Sequence, residues 1–249
     1  MAERSAWSAA DQAQIRLLLS PGAQADTLAG GLEIALEPEW YTYWRTPGEA
    51  GVPPRFDFTG SQNIASVEVL YPAPERYDDG TSVSLIYRDE VVFPMVVTPL
   101  DAAQPVTVKV EASFGVCREV CIPTRAGAEV TAPPFAAADP LADARLSRFR
   151  PRVPKAPEPG RFDVEAVTLA DQALLIDLRV PDSSSADLFA EPPSGWYIGQ
   201  PSLLSRQDGV SRYRLSLAGR PRDTGIQGQA FRFVATAGGE AIEEVVHIR

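Results

Sequence analysis

The chain holds two cysteines, Cys117 and Cys121, in the run Ser113-Phe-Gly-Val-Cys-Arg-Glu-Val-Cys-Ile-Pro123. Thiols separated by three residues have three chemistries open to them. They can lock a loop as a disulfide, hold a soft ion such as copper(I) as paired thiolates, or pass electrons by cycling between dithiol and disulfide. A fully extended chain would set their Cα atoms about 13 Å apart, whereas a disulfide needs roughly 4.4–6.8 Å. Arg118, Glu119 and Val120 must therefore turn. The alternating run Val106, Val108, Val110, ending near Ala112, favours a hairpin tip over a turn of helix.

Energetics favour the redox reading. Closing a ring of about five residues removes on the order of 2 kcal/mol of unfolded-chain entropy, against ~4.7 kcal/mol for a 100-residue loop. A staple would do better by joining distant strands, while a tight ring suits exchange. Arg118 favours the thiolate of its neighbour Cys117 and Glu119 opposes it, so Cys117 is expected to be the attacking thiol. Copper(I) comes third. The spacing Cys-x-x-x-Cys before Pro123 also occurs in copper-delivery proteins of the Sco type, but those add a histidine ligand, and this chain has only the distant His247.

The elements that must position the pair are strands. Leu32, Ile34 and Leu36 alternate with polar or small residues, as do Leu174, Ile176 and Leu178. Turn signals such as Asp79-Gly80, Asp208-Gly209 and Gly238-Gly239 punctuate the runs. Twenty-three prolines would break helices but are tolerated at strand edges and in loops. The composition predicts a mostly-β sandwich fold. One helix is expected: Asp139 caps it, Pro140 suits its first position, and Leu141, Ala142, Arg145, Leu146 and Phe149 continue it. Four prolines in residues 151–159 then read as a semi-rigid linker. Domains are accordingly expected at residues 1–150, with the cysteine pair and the short C-terminal helix, and at 160–249, a second sandwich.

A formal charge of −10 argues against a nucleic-acid partner. The first 135 residues carry 18 Asp and Glu against 9 Lys and Arg, so a partner with a basic rim would be steered there. No apolar run approaches the ~20 residues that span a bilayer, and Arg16 interrupts Ile15–Leu19. Other chemistry is poorly supplied. Trp40, Tyr41, Tyr43 and Trp44 offer an aromatic platform, but strand alternation sets Trp40 and Thr42 on one face and Tyr41 and Tyr43 on the other, as core packing would. Asp223-Thr-Gly225 lacks the apolar strand and second copy of an aspartic-protease site, and there is no nucleophile elbow or phosphate loop. No cofactor or resident metal is expected.

Four segments then occur in a telling order: residues 40–51 (WYTYWRTPGEAG), 71–76 (YPAPER), 86–89 (IYRD) and 116–123 (VCREVCIP). Together they resemble the N-terminal periplasmic region of the DsbD/ScsB family of transmembrane thiol–disulfide interchange proteins. The closer likeness is to the ScsB branch, named for suppression of copper sensitivity. The resemblance covers about residues 30–130; residues 160–249 resemble the second ScsB-type sandwich only in size and strand pattern. It implies immunoglobulin-like sandwiches in the exported, periplasmic portion of an inner-membrane protein. It implies a relay in which a membrane domain of the same full-length protein reduces the pair, and the pair reduces periplasmic thioredoxin-fold proteins of the ScsC or DsbC type. Cys117 and Cys121 match the family pair by position, although the DsbD branch spaces its cysteines more widely. The family also shields its cysteines with an aromatic cap loop before the Tyr-Arg-Asp element, which makes Tyr77 the candidate cap, against an ordinary Asp-Gly turn with a surface tyrosine, and Asp78, Arg118 and Glu119 further neighbours of the site. The rival reading is a non-enzymatic interaction module with a structural disulfide and the aromatic cluster as its contact surface, or a copper(I)-binding module.

Overall fold

The computed structural model describes residues 4–22, 26–134, 139–181 and 185–249. By chain proximity it divides into two compact units. The first comprises Met1–Pro47, Gly51–Tyr77 and Leu85–Pro151, and the second Gly48–Ala50, Asp78–Ser84 and Arg152–Arg249.

The strands of the first part of the chain are β1 (Ser8–Ala10), β2 (Ala13–Pro21), β3 (Leu28–Leu36), β4 (Tyr41–Gly48), β5 (Arg55–Asp57), β6 (Ile64–Val69), β7 (Glu75–Asp78), β8 (Val83–Arg88), β9 (Glu90–Pro99), β10 (Val106–Cys117) and β11 (Cys121–Ala132). They form two antiparallel sheets. One runs β1-β2-β3-β9-β6; the other runs β11-β10-β4-β8-β7, with β5 on β10. The interior lies between them, where Phe93 of β9 meets Phe56 of β5 at 5.2 Å and Tyr87 of β8 at 5.5 Å between ring centroids. Val106, Val108, Val110, Ala112 and Phe114 point inward from β10, at the alternation read from the sequence.

The predicted helix is present as α1 (Pro140–Phe149), and Asp139 accepts hydrogen bonds from the Leu141 and Ala142 amides. Ala142, Leu146 and Phe149 pack on Leu18, Ala29 and Val92. Beneath α1 runs a chain of charges. The buried Glu33 carboxylate accepts from Arg16 at 2.6 Å and from Arg145, and Glu90 takes Arg145 and Arg148. Burial works against the Glu90 carboxylate, but the hydrogen bond from Arg145 and the charges of Arg145 and Arg148 outweigh it and hold it below the usual carboxylate range.

The later strands are β12 (Asp163–Ala170), β13 (Ala173–Arg179), β14 (Ala186–Glu191), β15 (Ser202–Gln207), β16 (Val210–Ser216), β17 (Ala230–Ala237) and β18 (Glu240–His247). A four-stranded sheet, β12-β13-β16-β15, and a three-stranded one, β14-β17-β18, enclose a shared core. Leu174, Ile176, Leu178 and Tyr213 come from the first sheet, and Leu188, Phe231 and Phe233 from the second. Part of the Pro-rich stretch is fastened here: the Lys155 amide donates to Ala241 at 2.9 Å, and its carbonyl accepts from Glu243 at 2.8 Å. The mostly-β, immunoglobulin-like reading of the sequence is the observed fold.

Candidate functional site

The hairpin of β10 and β11 positions the cysteines. Their ladder runs unbroken from Val106 opposite Ala132 to Cys117 opposite Cys121, leaving Arg118, Glu119 and Val120 as the turn. The Arg118 amide donates to the Val120 carbonyl at 3.3 Å. The two sulfurs are joined in a disulfide, with Cα atoms 4.2 Å apart. The partners differ in access: Cys117 has 0% of its surface exposed, whereas Cys121 is exposed.

Strand β4 lies on the other side of β10, with Tyr41 opposite Cys117 and Thr42 opposite Val116. Thr42 donates its hydroxyl to the Gly115 carbonyl at 2.8 Å, which closes this end of the sheet. Directly paired residues share a face, so Tyr41 and Tyr43 stand on the cysteine side. Tyr41, Tyr43, Ile86 and Cys117 form a buried cluster, and Tyr77 packs against it. Because Tyr87 points inward at Phe93, its neighbour Ile86 points outward, and the cluster occupies the face of its sheet away from the interior.

The Tyr43 hydroxyl lies 3.0 Å from Cys117 Sγ and 3.2 Å from Cys121 Sγ. Disulfide sulfurs carry no hydrogen, so the tyrosine O–H is the donor. Close backbone approach holds the ring. Gly51, at φ 120°, lies where a Cβ would sit 2.2 Å from Tyr43 Cε1, and a Cβ on Gly115 would sit 3.4 Å from the ring. Tyr41 meets Tyr43 edge-on at 5.7 Å. Over this pair sits Tyr77, 5.2 Å from the Tyr41 ring, with the exposed Arg88 guanidinium 4.7 Å from the Tyr77 centroid and 5.8 Å from that of Tyr41.

A tight disulfide at a hairpin tip, one cysteine exposed and the other buried, with a tyrosine hydroxyl on both sulfurs, is equipped for thiol exchange. The comparisons agree. Residues 8–133 match the family model described as thiol:disulfide interchange protein DsbD, N-terminal. The chain belongs to this family. Among solved structures, the N-terminal periplasmic domain of ScsB from Proteus mirabilis is similar at a TM-score of 0.79 and 23% identity, over 100% of this chain and 99% of that one. At that identity the likeness speaks for the fold. A marsupial T cell receptor at a TM-score of 0.23 and 12% identity, over 96% and 97% of the two chains, adds no argument. No curated protein matches the chain.

As a DsbD N-terminal family member, the chain is a thiol–disulfide interchange domain, and the residues singled out from the sequence can be placed on it. Tyr77 lies at the cysteine cluster. The Asp78 carboxylate accepts from the Gly80 amide at 2.8 Å within its own turn. Neighbouring Asp79 collects the Thr81 hydroxyl and the Thr81 and Ser82 amides, which push its carboxyl down to about 2. Arg118 reaches Glu39 at 3.1 Å, an exposed ion pair, and Glu119 is exposed on the turn. The expectation that Arg118 would serve the Cys117 thiolate therefore meets an arginine engaged elsewhere, and the accessible cysteine is Cys121. Sequence reasoning set Tyr41 and Tyr43 on one face of their strand without seeing what the Tyr43 hydroxyl touches. The available signal was that a buried tyrosine needs a partner for its O–H, and the cysteine strand was the neighbour able to supply one.

Proposed function

We propose that this domain is a periplasmic protein-disulfide reductase: a membrane-embedded domain of the same protein reduces the Cys117–Cys121 pair, and the pair reduces thioredoxin-fold proteins. The observation that carries this reading is the asymmetry of the pair, exposed Cys121 against fully buried Cys117. Cys121 meets the partner and forms the mixed disulfide; Cys117 resolves it. The thiolate of Cys121 attacks one sulfur of the partner's disulfide, whose other sulfur leaves as a thiolate and takes up a proton. Cys117 then attacks Cys121 Sγ, closes the intramolecular bond and releases the partner's second thiolate. Two electrons have moved to the partner. The exposed Val120 beside Cys121 supplies apolar contact at the docking edge, and Tyr77 is the cap that a partner displaces. The family membership and the periplasmic origin of the similar ScsB structure support this account.

Trapping tests it. Reduced Cys117→Ser protein is expected to hold a stable mixed disulfide with a thioredoxin-fold disulfide protein through Cys121, whereas Cys121→Ser protein traps far less. Failure of both folded variants to trap any such partner would sink the relay. The reduction potential decides against a structural bond: a working pair falls near the −120 to −270 mV of known oxidoreductases, and a structural one below about −300 mV.

We also place the redox domain at residues 1–150 and a second sandwich at 160–249, with the Pro-rich stretch 151–159 between them. Because Lys155 is hydrogen-bonded to β18, trypsin is expected to cut after Arg152 before it cuts after Lys155. First cleavage inside residues 160–249 would displace that boundary.

A further inference from the structure

We propose that the Tyr43 hydroxyl is a catalytic group of the exchange, donating its hydrogen bond to the Cys117 sulfur whenever that sulfur carries charge. The inference rests on the exchange reading above and assigns the residue that makes the buried half of the pair usable.

Cys117 must exist as a thiolate to resolve the mixed disulfide, and it leaves as a thiolate when the ring is opened from Cys121. It has no exposed surface, so water cannot solvate that charge. Burial alone penalises the charged form and would leave Cys117 a poor nucleophile. The buried side chains around it are Tyr41, Tyr43 and Ile86, with Tyr77 packed against them. Arg88 lies on the rings of Tyr41 and Tyr77, and Arg118 on the hairpin turn is paired with Glu39. Tyr43 is the neighbour whose donor is already aimed, 3.0 Å from Cys117 Sγ.

The hydroxyl is also fixed before the reaction begins. Tyr43 is 2% exposed, its ring lies against the Gly51 and Gly115 backbones, and Tyr41 meets it edge-on. A donor that need not reorganise as charge develops stabilises that charge more than a mobile one. Because the same oxygen also lies 3.2 Å from Cys121 Sγ, it spans the bond that breaks and forms. The proton balance stays simple. Tyr43 keeps its own proton throughout, and the protons released by the two thiols are taken up by the partner's two departing thiolates.

The test uses Tyr43→Phe, which keeps the ring and removes the donor. In Cys121→Ser protein Cys117 is the sole cysteine, so the ¹³Cβ shift of labelled cysteine against pH reads its ionisation directly. Adding Tyr43→Phe is expected to raise the midpoint by roughly one unit, a tenfold loss of thiolate at neutral pH, the size set by one hydrogen bond to a charged group. In protein with both cysteines, Tyr43→Phe is expected to lengthen the life of the mixed disulfide formed with glutathione by about the same factor, because that step is the one the Cys117 thiolate carries out. An unchanged midpoint in folded Tyr43→Phe protein overturns the proposal. None of these readouts involves a protein partner. Loss of the relay would appear instead as failed trapping with Tyr43 intact, so the two ideas can fail separately.

Discussion

Two buried polar groups of the first unit invite comparison, Glu33 under α1 and Tyr43 under the disulfide. The Glu33 side chain is 1% exposed and held between Arg16 and Arg145, both permanently charged. Its partners do not change state, so the network can only hold α1 to the sheet. Tyr43 is as deeply placed, but it faces a pair of sulfurs that are neutral when joined and must pass through a charged form when they exchange. A buried polar group matched to a fixed partner serves stability; one matched to a partner that changes charge serves reaction. That distinction separates a structural site from a working one within a single sandwich.

The comparison breaks most sharply at Glu33. Replacing it with alanine takes the carboxylate from Arg16 and leaves Arg145 with Glu90 alone, and is expected to lower stability by about 3 kcal/mol, read by urea unfolding, while the exchange rate of the folded protein stays unchanged. Tyr43→Phe should do the reverse, changing stability of the oxidised protein by less than about 1.5 kcal/mol. Acid offers a milder route to the same network. Glu90 is held below the usual carboxylate range, so its contribution is complete above the ordinary carboxylate value and is lost as the pH falls through the lowered one. Loosening of α1 in acid should accordingly be weaker in Glu90→Gln protein, checked by amide exchange over Pro140–Phe149. A large loss of exchange activity in Glu33→Ala protein that remains folded would erase the distinction.

The smallest effect is expected at Tyr77. Tyr77→Ala removes one half-buried ring from the cluster and should cost about 1 kcal/mol of stability. It should speed alkylation of the reduced pair severalfold by access alone. Equal rates for variant and parent would leave Tyr77 an ordinary member of the turn, and Asp78 with it.

Local signals were the ones legible in the sequence. Asp139 and Pro140 announced α1 because capping is settled within four residues, and Val106, Val108 and Val110 announced β10 because alternation is a property of one strand. The turn at Arg118-Glu119-Val120 followed from the reach of the chain. Non-local facts were hidden. Glu33, between Leu32 and Ile34, reads as a solvent-facing residue until α1, more than a hundred residues later, covers that face. Arg16 reads as an interruption of an apolar run until Glu33 is seen beside it. Arg118 was assigned to its sequence neighbour Cys117, but side chains on a turn answer to what approaches in space, and Glu39 was there. Tyr43 belonged to the same class: the face it shares with Tyr41 was readable and its partner was not.

The ladder beneath the cysteines has a kinetic consequence. Twelve residue pairs from Val106–Ala132 to Cys117–Cys121 keep the two strands in register whether or not the sulfurs are bonded. Once a partner is attached to Cys121, the resolving sulfur is already across the strand, and its attack is intramolecular at a very high effective concentration. No chain closure has to be searched for at that step. The joined intermediate should therefore be brief in the parent protein, and the domain hands on its electrons in a time set by partner arrival and cap opening rather than by its own rearrangement.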